Sequence, residues 1–293
     1  MRFLAALPGA IALALLGMSV AAGVFAQSGW PSKPIKFIVP FPPRGSADVM
    51  PRIVAAELSK ALTQQFIIEN RTGGGETETI GVAAALKSPP DGYTVFLGAS
   101  GAMAISPTLV PNLPFDPTRD MAPVSKLAIA PPVLVVPVSS SIRSVKDLIA
   151  TARAQPDSLS YGSAGDGTTQ HLAGELLMQM AGIDMTHVPY KGSAPAATDT
   201  LAGQVPMAIV DLTSVLPHVR SGKLVASAPP ADGAPRTHRI LQPWPKADCP
   251  SSTLPLRSSS VTPAGVPRDI ITRLNAETVR VLAIPEARER ILA

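Results

Sequence analysis

The sequence predicts an α/β fold in two halves, each a doubly wound sheet with helices on both faces. Two stretches carry this prediction. In the first, an apolar run at 35–39 leads through a proline-rich loop, 40–48, into a segment whose apolar residues share one helical face. In the second, the run 159–161 leads through a loop rich in Gly, Ser and Thr, 162–171, into another such segment. Strands and helices that alternate in this way are typical of parallel sheets covered by helices.

Residues 1–26 are predicted to be a signal peptide and not part of the fold. Arg2 gives the segment a positive start, residues 10–24 are apolar, and residues 24–26 have the small-x-small form of a cleavage site. The apolar run is short for a membrane span and no second run follows, so a retained anchor is the less favoured alternative. The sequence therefore predicts a soluble protein that is exported to the periplasm.

The composition excludes several functional classes. The net charge of +4 comes without a cluster of Lys or Arg, so nothing indicates a nucleic-acid partner. Cys249 is the sole cysteine, which rules out an intrachain disulfide. Neither a metal nor a cofactor is predicted, because the four histidines lack metal-ligand spacing; they are His171, His187, His218 and His238.

The proline-rich loop is the first candidate binding site. Its prolines stiffen the backbone, and Gly45 permits a turn with positive φ. The helix that follows would direct unsatisfied N–H groups and the positive end of its dipole at a small anion. We expect this helix to begin with Asp48 as its N-cap, because that start places Pro51 in the first turn. An ordinary strand–helix turn explains a single loop equally well. The candidate residues are Phe41, Pro42, Gly45, Ser46 and Asp48.

Two later loops of the first half are weaker candidates. Ser100 follows the buried strand at 93–98, and its hydroxyl is expected at the same edge of the sheet as the proline-rich loop. Three consecutive glycines, 73–75, would suit a close approach to a ligand or a plain surface loop. Glu76 and Glu78 beside them would repel an anion, which argues against direct contact at that loop.

The Gly/Ser/Thr loop of the second half is the other candidate site. It presents small hydroxyls and backbone N–H groups at the start of a helix, and these are hydrogen-bond donors that can bind a carboxylate. Two enzymatic interpretations fail on spacing, since residues 161–165 lack the first glycine of a nucleophile elbow and 165–167 lack the third glycine of a dinucleotide fingerprint. The candidate residues are Ser163, Gly165, Thr168 and His171.

Asp211 is a further candidate at the end of a predicted strand. Its carboxylate could accept a hydrogen bond from a ligand amine or hydroxyl. It could equally cap the helix that follows, and the sequence leaves both roles open.

Several motifs together resemble the Bug-type receptors of tripartite tricarboxylate transporters. The resemblance covers residues 30–226 and implies a type II periplasmic-binding-protein fold, in which two domains joined by a hinge close on a small organic carboxylate. It also implies that Pro42, Gly45, Ser46 and Asp48 hold one ligand carboxylate, and that Ser163, Gly165, Thr168 and His171 form the facing loop. The matching motifs are Trp30-Pro31-x-Lys33-Pro34-Ile35, Val39-Pro40-Phe41-Pro42-Pro43, Pro89-Pro90-Asp91-Gly92-Tyr93, Tyr161-Gly162-Ser163-x-Gly165-x-Gly167, His171-Leu172-x-Gly174-Glu175, Val188-Pro189-Tyr190-Lys191-Gly192 and Ala202-Gly203-Gln204-Val205.

The domain boundaries follow from this resemblance. Domain 1 is predicted at 28–127 together with 227–293, and domain 2 at 128–226. Residues 227–260 depart from the family pattern, because prolines, Arg and Ser replace the expected glycine-rich strand. This segment is expected to be disordered or the product of a reading-frame slip. Domain 1 would then lack both its returning strand and the family's final helix.

The resulting functional hypothesis is a periplasmic receptor, without enzymatic activity, that captures a small carboxylate and delivers it to permease subunits in the membrane. The chain is expected to act as a monomer. Two alternatives stay open: a carboxylate receptor for a membrane signalling partner, and a serine hydrolase that uses Ser163. The sequence does not identify the carboxylate.

Overall fold

The computed structural model describes residues 29–43, 46–72, 78–156, 158–228, 241–243 and 256–292. Within them lie two mixed β-sheets, each with helices on both faces. The predicted fold class of two α/β domains is confirmed. The signal-peptide prediction falls on residues 1–26, outside the described residues. None of the described helices has the length and apolar character needed to cross a bilayer.

The first sheet has five strands in the order β2-β1-β3-β11-β4. The first three strands are parallel, and β11 runs antiparallel to both of its neighbours. The proline-rich loop follows β1, which is the middle one of these three parallel strands, so the loop lies at their carboxyl ends. The strands are β1 (Ile35–Val39), β2 (Phe66–Asn70), β3 (Thr94–Ala99), β4 (Met121–Ala130) and β11 (Leu256–Pro263).

The second sheet has six strands in the order β10-β9-β5-β8-β6-β7. Strand β6 is parallel to β7 and β8, whereas β5 is antiparallel to β8 and β9. The loop after β6 and the loop after β7 thus leave the same edge of this sheet. The strands are β5 (Pro132–Pro137), β6 (Ser160–Ser163), β7 (Thr186–Pro189), β8 (Ala208–Asp211), β9 (Leu224–Ala228) and β10 (Leu241–Pro243).

The helices cover both faces of each sheet, so each sheet separates two hydrophobic cores. A π-helical segment, Gly101–Ile105, follows β3 directly. The helices are α1 (Ser46–Ala61), α2 (Thr79–Leu86), α3 (Ser106–Leu109), α4 (Pro117–Asp120), α5 (Val145–Ala154), α6 (Thr169–Ala181), α7 (Ser193–Leu201), α8 (Leu212–Arg220), α9 (Arg268–Leu282) and α10 (Pro285–Leu292).

The helix α1 begins three residues before the expected start, because it already includes Ser46, and Pro51 lies inside it. Asp48 is therefore not the N-cap, and its carboxylate pairs with other side chains. That carboxylate accepts hydrogen bonds from Arg52 Nε at 2.9 Å and from Asn70 Nδ2 at 2.7 Å, and it is buried at 2% exposure.

The prediction that domain 1 lacks its returning strand is also wrong. Residues Leu256–Pro263 form β11, which inserts between β3 and β4. Val261 on this strand is fully buried, and Ser258 and Ser260 are buried beside it, so two neighbouring strands rather than apolar alternation stabilise the segment. The last described helix, α10, contacts α1, and the absence of the family's final helix stays a prediction. Residues 229–240 and 244–255 of the anomalous segment lie outside the described residues.

The chain passes from one sheet to the other at Pro131, between the end of β4 and the start of β5. The last described strand of the second sheet along the chain is β10, and the next described strand, β11, belongs to the first sheet. The sequence placed the first passage between 127 and 128. The division into domains with those boundaries stays a prediction.

Candidate functional site

A cleft lies between the two halves, at the edges where the loops after β1, β6, β7 and β8 meet. It encloses about 470 Å³ of non-protein space, part of it open to solvent. The opposing walls are close, since a Cβ placed on Gly192 would lie 3.5 Å from Pro42 Cδ. The lining residues are Phe41, Pro42, Pro43, Ala47, Glu78 and Gly101 from the first half, and Ala164, Thr168, Thr169, Gln170, Lys191, Gly192, Ser193, Ala194, Pro195 and Asp211 from the second.

The proline-rich loop contributes Phe41 and Pro42 to the cleft wall. Gly45 lies outside the described residues, as does the side chain of Ser46. Asp48 does not line the cleft in the described structure; it positions the loop instead. The Asn70 amide that donates to Asp48 also donates to the carbonyl oxygen of Phe41, at 2.9 Å. Asp48 therefore holds the first-half wall through Asn70.

The start of α6 forms much of the facing wall. Thr168 is the N-cap: its Oγ1 accepts from His171 N at 3.3 Å and donates to Gly165 O at 2.7 Å. Gly165 has φ +130°, a conformation open to glycine and unfavourable for other residues. Thr169 and Gln170 of the first turn line the cleft, and N–H groups of a first turn lack intrahelical acceptors. This wall therefore favours negative charge.

The start of α7 is a further candidate binding element, and the sequence analysis missed it. Gly192, with φ +113°, precedes the helix, and Ser193, Ala194 and Pro195 line the cleft. The signal was present, because Lys191-Gly192-Ser193 repeats the arrangement of strand, glycine and helix start seen in the two chosen loops. With α1 and α6, three helix N-termini converge on one cleft.

Asp211 lines the cleft and caps α8. Its carboxylate accepts from Ser214 N at 3.0 Å, Ser214 Oγ at 2.9 Å and Thr213 Oγ1 at 2.7 Å, and the residue is 3% exposed. Its backbone N–H donates to Ser193 Oγ at 3.3 Å. Asp211 thus joins the starts of α7 and α8, and the capping role accounts for these hydrogen bonds.

Ser163 and Ser100 have structural partners away from the cleft wall. The Ser163 side chain is fully buried; its Oγ lies 2.7 Å from His187 Nε2 and accepts from Gly165 N at 3.0 Å. Ser100 Oγ accepts from the backbone N–H of Arg257 at 3.0 Å, which fastens β11 to the end of β3. Among the described residues that line the cleft, neither serine appears, so the structure supports no ligand contact for either hydroxyl.

Ser163, His187 and Asp166 are arranged in the order of a hydrolytic Ser-His-Asp triad. His187 Nδ1 lies 3.4 Å from Asp166 Oδ1, on the other side of the ring from Ser163. A nucleophile must be reachable by its substrate, however, and Ser163 has 0% exposure. The arrangement is therefore structural: the Ser163–His187 hydrogen bond joins β6 to β7, and the half-exposed Asp166 of the loop after β6 lies beside His187.

Asp166, His171 and His187 also have ligand atoms within 4.8 Å of one another, a grouping that sequence spacing did not predict. The two imidazoles are stacked, with centroids 4.0 Å apart and planes 7° from parallel. A metal ion binds in the plane of an imidazole ring, and one ion cannot lie in two parallel planes so far apart. His171 Nδ1 is also used, because it accepts from Gly167 N at 3.1 Å. Burial, followed by the charge of His171, lowers the pKa of His187.

Glu78 is the cleft residue that the sequence argued against. The structure places its side chain in the wall next to Gly101, and burial raises the pKa of its carboxyl to about 8. The expected repulsion of an anion presupposed an ionised, solvated carboxylate. The structure buries this carboxyl, so the premise of a solvated group is wrong, and burial favours the protonated form.

Replacing Thr168 by Val should lower the free energy of unfolding by about 1 kcal/mol, the usual cost of losing an N-cap. Urea unfolding would measure this change. Thr198→Val on α7 is the matched control, since its exposed Oγ1 donates only to the carbonyl oxygen of Ala194 one turn earlier. Equal unfolding midpoints for the two variants would contradict the capping role.

Comparison with known proteins identifies the family. Residues 50–292 match the model of the tripartite tricarboxylate transporter family receptor. The chain is 39% identical over 221 residues to Protein BugT of Bordetella pertussis, covering 74% of this chain and 67% of BugT.

Two similar solved structures contain carboxylates. One is an R. palustris protein with adipate, at 33% identity and a TM-score of 0.83, covering 89% of this chain and 88% of that one. The other is MatC from Rhodopseudomonas palustris with bound malate, at 27% identity and a TM-score of 0.82, with the same coverage. The chain belongs to the tripartite tricarboxylate transporter receptor family, as a periplasmic solute-binding protein of the Bug type and not an enzyme.

Proposed function

We propose that this protein captures a small organic carboxylate in the cleft and delivers it to permease subunits in the membrane. The convergence of three helix N-termini on one narrow cleft is the observation that carries the proposal. Each helix start offers N–H donors and a positive dipole end, and a hydrogen bond to a charged group contributes about 1.5–3 kcal/mol. Three or four such bonds, less the cost of association, correspond to roughly micromolar affinity.

The size and lining of the cleft support a small ligand. The opposing walls are close, since a Cβ placed on Gly192 would lie 3.5 Å from Pro42 Cδ, so the cleft suits a small molecule. The wall combines Phe41 and the neighbouring prolines with the helix starts, so it offers an apolar surface beside hydrogen-bond donors. Malate and adipate, bound by similar receptors, define the ligand class to test first.

A thermal-shift screen of short dicarboxylates and monocarboxylates, malate and adipate included, tests capture. A carboxylate at 100 times its Kd should add about 2.7 kcal/mol to the free energy of unfolding. Calorimetry then measures the affinity, and the carboxylate should be recovered unchanged.

A variant with a filled cleft tests whether binding takes place in the cleft. Ala194→Phe places a ring in the cleft and should weaken binding at least tenfold. Ala202→Phe, on an exposed position at the far end of α7, is the matched control and should bind normally. Equal binding by both variants would contradict the cleft as the binding site.

Delivery to a permease is tested in cells. Uptake of the labelled carboxylate should require the protein with its residues 1–26 and should fail with Ala194→Phe. Normal uptake in cells that lack the protein would contradict delivery. If the carboxylate instead altered gene expression without being taken up, a signalling partner would replace the permease.

A further inference from the structure

Glu78 has a backbone and side chain that are both unusual for a residue at the start of a helix. Its φ of 62° and ψ of 3° place it in the left-handed region, which residues with a Cβ rarely adopt. Its side chain forms no capping bond with α2. Glycine or Asn would adopt this backbone conformation with less strain. The presence of Glu at this position therefore suggests a role for its carboxyl group.

The carboxyl group of Glu78 lies in the cleft wall, and one of its two oxygens has no hydrogen-bond partner among the described residues. The backbone N–H of Ala102 donates to the carboxyl group. A Cβ on the neighbouring Gly101 would lie 3.0 Å from Oε1, so the carboxyl needs a glycine beside it. Oε2 is buried and has no hydrogen-bond partner among the described residues. Buried polar groups are nearly always paired, which suggests that a ligand supplies the partner.

The surroundings of Glu78 determine its protonation. The charged or titratable groups on the neighbouring described elements are Lys191 and Asp211 on the cleft wall, and Asp166, His171 and His187 in and behind the loop after β6. The π-helical segment and α2 contribute none. Desolvation outweighs the Ala102 hydrogen bond and raises the pKa of Glu78 to about 8. At neutral pH the side chain is therefore an acid with one O–H to donate.

We propose that Glu78, in its protonated form, donates its O–H to a carboxylate oxygen of the bound ligand. The inference rests on the proposed function and adds a first-half contact to the helix starts of the second half. An ionised Glu78 would place like charges together in a desolvated cleft, so capture requires the proton. Carboxylate binding is therefore coupled to the uptake of a proton when the pH is near 8 or above.

Calorimetric titration with malate and with adipate at pH 6.5 and pH 9.5 tests this coupling. Both probes stay ionised throughout, because ordinary carboxyl pKa values lie near 4. The wild-type protein should bind about 30-fold more weakly at pH 9.5, since Glu78 then loses its proton 1.5 pH units above its pKa. At pH 8, two buffers of different ionisation enthalpy should reveal uptake of about half a proton on binding.

Glu78→Gln is the decisive variant, because its amide keeps a hydrogen-bond donor and cannot titrate. It should bind at pH 6.5 within about threefold of wild type, take up no proton, and lose the Glu78-dependent 30-fold decrease. Glu57→Gln removes a carboxylate that pairs with Lys60 on α1, away from the cleft, and should behave as wild type. Circular dichroism melting of each variant confirms that it is folded.

The outcomes separate the two proposals. If neither probe nor any other carboxylate of the screen binds the wild-type protein, the proposed function fails and the inference fails with it. If a probe binds and Glu78→Gln retains the wild-type pH dependence, the inference alone is overturned. Tighter binding at pH 9.5 with proton release would also overturn it, since Glu78 would then act as a carboxylate for a cationic group.

Discussion

Replacing Glu78 by Gln is expected to stabilise the ligand-free protein by about 3 kcal/mol at pH 7 and by almost nothing at pH 4.5. The pKa of the Glu78 carboxyl is about 8 in the folded protein, against an ordinary value of 4.5. Between these two values the folded state holds the proton and the unfolded state releases it. The wild-type free energy of unfolding therefore falls as the pH rises through this window, and the loss is complete above pH 8.

The magnitude follows from the position of pH 7 in that window. It lies 2.5 pH units above the ordinary pKa of 4.5, and each unit corresponds to about 1.4 kcal/mol. Gln carries no titrating proton, so the variant lacks this loss. Thermal melts at pH 4.5, 7 and 9 should show a difference in Tm that grows from near zero to roughly 5–10 °C.

The control for this prediction is Glu57→Gln, whose carboxylate pairs with Lys60 at 2.8 Å. An isolated ion pair of this kind contributes about 0.2–1 kcal/mol, so the control should change little across the series. If the stability gained by Glu78→Gln relative to the wild type is no larger at pH 9 than at pH 4.5, Glu78 is solvated in the folded protein. Such a result would also remove the physical basis for its proposed ligand contact.

Gly174→Ala is expected to destabilise the protein by about 1–2 kcal/mol. A Cβ at Gly174 would overlap the ring carbons Cε2 and Cζ of Tyr161 and its hydroxyl. Tyr161 has no room to withdraw, because it is fully buried, its ring lies 5.0 Å from that of His187, and its hydroxyl donates to Glu175. Overpacking of this kind typically costs about 1–3 kcal/mol, and a severe overlap exceeds the gain of about 1 kcal/mol from Ala in a helix.

A double-mutant cycle in urea tests the cause. In a Tyr161→Leu background the overlap is absent, so Gly174→Ala should become neutral or stabilising. Gly182→Ala is a second comparison: its φ is 59° and a Cβ there meets open space, so only the left-handed strain of about 1–2 kcal/mol applies. If Gly174→Ala were as costly in the Tyr161→Leu background as in the wild type, the overlap with the ring would not be its cause.

Much of the fold was predictable because its signals are local. The strand, loop and helix around β1 and α1 and those around β6 and α6 follow from apolar periodicity and glycine-containing turns, which neighbouring residues determine. The same signals located Phe41, Pro42 and Thr168, which the structure places on the cleft wall. The ambiguity at Asp211 reflects a side chain that does line the cleft and does cap a helix.

Other parts were not predictable because they depend on residues far apart in the chain. The partner of Ser163 is His187, 24 residues later on the neighbouring strand, and the partner of Ser100 is Arg257, 157 residues later. No local pattern reports such pairs. The strand β11 was missed for the same reason, because its stability comes from two flanking strands and not from its own alternation.

The sequence by itself determined the α/β class, the positions of two of the candidate binding loops, and the family. These properties depend on side-chain periodicity and short motifs, which can be recognised without knowing which residues are in contact. Only the tertiary structure decided which polar groups face the cleft. The Ser163 hydroxyl pairs with His187 instead of facing the cleft, and burial raises the pKa of the Glu78 carboxyl. The reason is that burial and desolvation, which set the charge of a side chain, exist only once the two halves are assembled.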